Sequence, residues 1–320
     1  MLFSIIIPVY NRPYEIKELL MSLLHQRYKS FEVIIIEDGS TILCSEIIAD
    51  FNDKLDLKYV YQENTGQGFA RNNGMKLASG DFYILFDSDC VIPPDYLETV
   101  YRHLTQRNLE AYGGPDAADA TFSSVQKAMN YSMTSFFTTG GIRGKMKNPG
   151  KYQARGFNMG LSKEAFEASG GFIDPNRAED IELSIRLKKM GFRLELIKEA
   201  YVYHKRRNTV LSFFKQSHSF GKNRVHVSRY HSEAIKLVHL LPLAFLIGIL
   251  FIPLLYFLFP LLFSLSLFLM AGWCLAIFIG SALENKSWYI GLITVPIAFG
   301  QLCSYGAGLA TEGMKKFFYS

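Results

Sequence analysis

Gly80-Asp81-Phe82-Tyr83-Ile84-Leu85-Phe86-Asp87-Ser88-Asp89 is the stretch on which the reading of this chain turns. Phe82 to Phe86 is a short, wholly apolar run of the kind that forms a buried strand. It stops on two acids at alternate positions, Asp87 and Asp89. Asp-x-Asp alone is a weak motif, and a solvated turn after a strand is its plain alternative. Its surroundings give it weight. Phe3 to Val9 is a second apolar run and ends at Tyr10-Asn11-Arg12. Phe31 to Ile36 is a β-branched run and stops at Glu37-Asp38-Gly39-Ser40. Open α/β sheets bind their ligands beyond the carboxyl ends of the strands, where these polar ends would gather.

Between the runs lie helical patterns. Ile16, Leu19, Leu20, Leu23 and Leu24 recur at helical spacing, behind Pro13 in a first turn and Asn11 as the expected N-cap. A helix through Ile47, Ile48 and Phe51 precedes a third strand, Leu57 to Tyr61; Ala70 to Leu77 and Tyr96 to Leu104 are helical again. Such alternation predicts an α/β fold with a largely parallel sheet covered on both faces. From Gly113 to Gly150 the pattern weakens, and Gly140-Gly141, Gly144 and Pro149-Gly150 suggest a mobile segment. It resumes at Gly156-Phe157-Asn158-Met159-Gly160 with a helix over Lys163 to Ala168. Glu179-Asp180 then opens a helix closed by Gly191, and short strands follow around Arg193 to Ile197 and Ala200 to Tyr203.

Charge is unevenly spread over the 320 residues. Charged side chains are frequent up to Glu233 and rare from Leu240 to Leu283, which sets a boundary near 235: a catalytic domain over 1–235 and a membrane domain over 236–320. Leu237–Phe259, Leu261–Leu283 and Trp288–Leu309 each approach the roughly 20 apolar residues that a membrane helix needs, so two or three transmembrane helices are expected. Three crossings would put Lys315-Lys316 outside, against the positive-inside tendency; an interfacial third segment would not. The basic run Lys205, Arg206, Arg207, Lys215, Lys222, Arg224 and Arg229 suits an anionic membrane surface. No helix-turn-helix, zinc-finger or RNA-recognition pattern accompanies it, so nucleic acid is not an expected partner. The four cysteines show no C-x-x-C pairing, which argues against a disulfide framework or zinc site and fits a cytoplasmic catalytic part. The opening Leu2-Phe3-Ser4-Ile5 is strand-like with no basic region ahead of it, and no signal peptide is expected.

The acids carry the chemistry. A departing nucleoside diphosphate needs its charge neutralised, and a hard cation held by one or two carboxylates does this. Asp89 is the expected cation ligand, with Asp87 on the ribose or a cation-bound water. Glu179-Asp180 is the candidate pair for a general base on an acceptor hydroxyl, though it also suits simple helix capping, and both roles can coexist in the pair. His204, at a strand end, is a candidate nitrogen ligand or a structural histidine. Gly66 to Gly74 lacks G-x-G-x-x-G spacing, and its Arg71 reads as a phosphate- or base-contacting cation or a solvated helix residue.

Taken in order, Ser4 to Asn11, Glu37-Asp38-Gly39-Ser40, Gly68 to Gly74, Gly80 to Asp89, Gly156 to Phe172 and Glu179-Asp180 resemble the family 2 glycosyltransferases over about residues 3 to 225. The resemblance implies a GT-A fold, Rossmann-like, with a mixed, mostly parallel sheet. It implies Asp38 on the nucleobase with Pro8 and Tyr10 lining the base pocket, Asp87 and Asp89 on ribose and metal, His204 as second metal ligand, and Asp180 as base of an inverting transfer. Mg²⁺ or Mn²⁺ would be the cofactor, a UDP-sugar the donor, and a lipid-linked or cell-envelope glycan the acceptor, at the cytoplasmic membrane. Two departures stand out. Glu37 replaces the first Asp of the usual Asp-Asp-Gly-Ser. Gln216-Ser217-His218-Ser219-Phe220 lacks the Arg and Trp of the processive synthases' Gln-x-x-Arg-Trp, so single-sugar transfer is expected. Polyprenyl-phosphate glycosyl transfer, nucleotidyl transfer and a non-enzymatic membrane scaffold are the alternatives.

Overall fold

A computed structural model describes residues 1–117, 122–140, 148–204 and 209–318. The expectations placed on Gly141, Gly144, Lys205, Arg206 and Arg207 lie outside these residues.

The chain opens with β1 (Phe3–Val9), α1 (Pro13–Leu24), β2 (Phe31–Asp38), α2 (Ser45–Ala49), β3 (Leu57–Gln62), α3 (Gln67–Leu77) and β4 (Phe82–Phe86). After the acids come β5 (Cys90–Val91), α4 (Tyr96–Arg107), β6 (Ala111–Gly113), β7 (Asp116–Ala117), α5 (Ser124–Thr134) and α6 (Phe136–Thr139). Then follow β8 (Asn158–Ser162), α7 (Lys163–Ser169), α8 (Glu179–Lys189), β9 (Leu194–Leu196) and β10 (Val202–His204). The chain ends in α9 (Val210–Val227), α10 (Leu237–Leu258), α11 (Pro260–Asn285) and α12 (Trp288–Phe318).

Seven strands form one sheet in the order β3-β2-β1-β4-β8-β6-β9. All neighbours pair parallel except β8, which runs antiparallel to both β4 and β6. β1 and β4, and β2 from Val33 to Ile36, are largely apolar because helices cover both faces, which leaves no solvent side to favour alternation. Ile5 and Ile7 face a core with Leu19, Leu23 and Leu97, while Ile6 faces one with Ala70, Met75 and Leu183. A second, three-stranded sheet has the order β5-β10-β7.

Two local expectations change. Asn11 does not cap α1. It takes a left-handed backbone (φ 54°), and its side-chain oxygen accepts from Thr41 N (2.8 Å) and Ile42 N (3.0 Å), so it fastens the loop after β2. The weak-patterned stretch after Gly113 contains a helix, α5. Its start is a capping box in which Ser123 and Gln126 each accept from the other's backbone N–H.

The described residues divide into two compact units. One holds every strand with α1–α4, α7 and α8; the other gathers α5, α6 and α9 with α10–α12. In the second, Met129 and Met133 of α5, Phe213 of α9 and Ile290 and Ile297 of α12 share one apolar cluster. Three of its helices, α10, α11 and α12, are long and apolar enough to cross a membrane.

Candidate active site

The site is built where β1, β2 and β4 end. On the β2 side Asp38 is buried and bound within the chain: Oδ1 accepts from Gln62 Nε2 (2.8 Å) and Thr65 N (2.9 Å), and Oδ2 from Gly66 N (2.9 Å). The carboxylate thereby shapes the turn leading into α3. Glu37, at the departure from the usual motif, turns inward. It accepts from Cys44 N (2.8 Å), Cys44 Sγ (2.7 Å) and Tyr59 OH (3.2 Å), contacts that use the extra methylene of Glu. Pro8 is partly buried and Tyr10 half exposed. A cavity of about 540 Å³ runs beside this turn, lined by Gln62, Thr65, Phe69 and Asn73 among others, and shares no residue with Asp89, Cys90 or His204.

Below β4 the two acids part company. Asp87 Oδ1 accepts from Arg71 Nη2 (2.6 Å), and Arg71 Nη1 reaches Glu179 Oε1 (3.1 Å) at the start of α8. Arg71 is 1% exposed, so its guanidinium is enclosed between these carboxylates and not open to solvent. The enclosure is tight: a Cβ on Gly156 would lie 2.7 Å from Arg71 Nη1. Burial, then the neighbouring Asp180 charge, push the Glu179 carboxyl up to about 7 against the pull of Arg71. Asp180 is less buried; its Oδ2 accepts from Gly156 N (3.1 Å) and its Oδ1 from Ile181 N (2.7 Å). Asp87 and Asp180 are thus fixed to one scaffold of Arg71, Glu179 and Gly156.

Asp89 has different partners. It pairs with Arg12 Nη1 on one oxygen, while its Oδ1 lies 3.1 Å from His204 Nε2. The histidine arrives by strand register: β10 runs antiparallel to β5 with His204 opposite Cys90, which sets the imidazole beside Asp89. The ring stacks on Phe157 at 4.7 Å. Burial alone would raise the Asp89 carboxyl, but the His204 hydrogen bond and the charges of His204 and Arg12 hold it well below the usual carboxylate range. Asp89, Cys90 and His204 offer ligand atoms within 4.8 Å of one another. Cys90 does not fit a hard cation, because burial keeps its thiol protonated and Sγ points to Phe157 O. A carboxylate oxygen and an imidazole nitrogen do fit a divalent cation that draws its other ligands from phosphate and water.

Several members of this arrangement escape sequence reading. Arg12 is visible there only as a polar residue at a strand end. Glu179 reads as a helix cap and becomes the counter-charge of Arg71. Gly156 and Phe157 stand in a stretch that resembles the family, but nothing local assigns them a role, since their value lies in contacts with residues far along the chain.

Comparison with known proteins decides the family. The sequence profile of glycosyl transferase family 2 matches residues 4–170. The chain belongs to this family. Among curated relatives of this family 2 glycosyltransferase, Glycosyltransferase GlyA of Streptococcus pneumoniae is 37% identical over 105 residues, 32% of this chain and 15% of that protein. Validoxylamine A glucosyltransferase of Streptomyces hygroscopicus is 34% identical over 121 residues, 37% of this chain and 27% of that one. The matched stretch is therefore a minor part of each relative. The mannosyltransferase PcManGT of Pyrobaculum calidifontis, solved with GDP-Man and Mn²⁺, shares the fold with a TM-score of 0.68 at 18% identity, over 93% of this chain and 86% of that one. S. aureus TarS 1-349 with UDP-GlcNAc gives 0.51 at 16% identity, over 98% and 92%.

Proposed function

We propose that this family 2 enzyme transfers a single sugar from a nucleotide-sugar donor to an acceptor hydroxyl with inversion, using a divalent cation. The observation that carries the reading is the juxtaposition of Asp89 and His204 (3.1 Å), brought together from distant parts of the chain by the β10–β5 pairing.

The roles follow from chemistry. Asp89 and His204 would hold Mg²⁺ or Mn²⁺, which supplies neutralising charge to the departing nucleoside diphosphate. Asp87, fixed by Arg71, faces the ribose side. Pro8, Tyr10 and the turn shaped by Asp38 bound the nucleobase; the Asp38 carboxylate keeps lone-pair capacity beyond its bonds to the turn. Asp180 takes the proton of the acceptor hydroxyl. That oxygen then attacks the anomeric carbon opposite the diphosphate, whose C–O bond breaks with its electron pair. Arg71 acts as a positioning residue, because its guanidinium is enclosed by Asp87 and Glu179. UDP-sugar is the proposed donor from the motif resemblance, and GDP-sugar is the second candidate because PcManGT, which shares the fold, was solved with GDP-Man. The acceptor is proposed to be lipid-linked or a cell-envelope glycan, met by a catalytic domain over 1–235 at the cytoplasmic face and anchored through 236–320.

Calorimetric titration of the detergent-solubilised protein with UDP and GDP, with and without Mn²⁺, tests the donor site. Metal-dependent binding of one nucleotide, lost in Asp89→Ala, is expected and names the nucleobase. No binding of either by folded protein sinks the assignment. Asp180→Asn separates acceptor types: a hydroxyl acceptor loses about 10²–10⁴-fold in rate, whereas an anionic phosphate acceptor, already a nucleophile, loses far less.

A further inference from the structure

The apolar tail helices differ in what surrounds them. The apolar windows of α10 and α11 are 0% and 6% buried by protein, whereas that of α12 is 39% buried. What covers α12 is not apolar helix alone. Its first half packs on α5, which carries Gln126, Lys127 and Asn130, through Ile290 and Ile297. Its second half packs on α9, which carries Lys215, His218, Lys222 and Arg224.

The α9–α12 packing is close and continuous. A Cβ on Gly308 would lie 2.0 Å from His218 O, and one on Gly221 2.1 Å from Tyr305 O, so the two backbones touch. Farther along, Arg229 Nη2 pairs with Glu312 Oε1 (3.3 Å) and Lys316 Nζ donates to Ser228 O (3.2 Å). Partner numbers rise together on both helices, so they run parallel side by side.

Direction supplies a second argument. α10 and α11 form an antiparallel hairpin, with Phe245 against Trp273 at 5.3 Å. α12 starts antiparallel to α11, with Ser281 Oγ and Thr294 Oγ1 2.7 Å apart. Yet it also retreats along α10, where Phe299 meets Phe245 and Gly306 meets Pro242. Pro296 lies between these two sets of contacts, and beyond it α12 leaves the direction of the hairpin that its first half follows.

Resting on the membrane reading above, we propose that α12 does not cross the bilayer. With α5 and α9 it forms a helical layer at the lipid headgroups, on the side of the catalytic unit, and only the α10–α11 hairpin enters lipid. α9 begins at Val210, too soon after His204 for a crossing, and its Lys215, Lys222 and Arg224 are costly inside hydrocarbon. A helix packed against it along half its length stays with it. The indole of Trp273 donates to Phe137 O (3.0 Å) beside exposed Phe136, an aromatic group suited to the membrane interface. The arrangement also places Lys315 and Lys316 on the catalytic side, where positive charge belongs.

The test uses the full chain with one epitope tag at each end, expressed in bacteria and probed by external protease. Both tags cleaved in inverted membrane vesicles and both protected in intact spheroplasts is the expected result. A C-terminal tag cleaved in spheroplasts while the N-terminal tag survives would overturn the inference and leave the membrane reading standing. Release of the protein from membranes by alkaline carbonate would instead remove the membrane reading, and this inference with it.

Discussion

Asp87 and Asp89 stand two residues apart at one strand end, and each meets an arginine, yet the two pairs are built for different purposes. The Arg71 side chain is 1% exposed and joined to a second carboxylate, while that of Arg12 is 34% exposed. A cation enclosed with its partners is a permanent part of the fold, because removing it strands buried charge. A cation at the surface can give way when a ligand brings its own charge. Asp87 is accordingly a fixed feature, and Asp89 a carboxylate whose counter-charge is exchangeable.

Arg71→Met breaks this comparison hardest. Asp87 and Glu179 lose their common partner, and scanning calorimetry should show a loss of about 3–5 kcal/mol in the stability of the catalytic unit. Next comes Asp89→Ala, for which Mn²⁺-dependent nucleotide affinity should fall by about 10–100-fold or more while the unit stays folded; a collapse in stability equal to that of Arg71→Met would erase the distinction. Third is pH. The Glu179 carboxyl is raised in the folded state from 4.5 to about 7, so its contribution favours folding at low pH and is lost as pH rises through that interval. Glu179→Gln should flatten the stability profile between those pH values, read by thermal unfolding across a buffer series. The smallest effect belongs to Arg12→Ala, which should cost about 1 kcal/mol, because the pair is partly exposed and His204 stays beside Asp89. A larger loss would place Arg12 with the permanent pairs.

The same contrast explains what the sequence could reveal. β1, β2 and β4 were legible because burial on both faces writes a continuous apolar run, and Asp87 and Asp89 because they end one. The role of Arg71 was not, since a helix-borne arginine looks alike whether solvated or enclosed, and the difference lies in Glu179 and Gly156 over eighty residues later. Asn11 misled for a similar reason: its position suits a cap, but its backbone is left-handed and its amide serves Thr41 and Ile42. α5 was missed although Ser123 and Gln126 form a recognisable capping box, because the surrounding glycines outweighed it. α9 shows in the sequence only as basic charge, and its Gly221 acquires meaning only against Tyr305.

The delivery of His204 by β10 has a consequence for the order of synthesis. The family-matched portion ends at residue 170, and a nascent chain that has reached that point already owns Asp89 but not its imidazole partner. The candidate cation site is complete only when β10 docks against β5, a contact between segments far apart in the chain, of the kind that is slow to form. On the proposed reading, an unfinished chain on the ribosome lacks one of the two residues that would hold the cation, and that residue arrives just ahead of the long apolar helices.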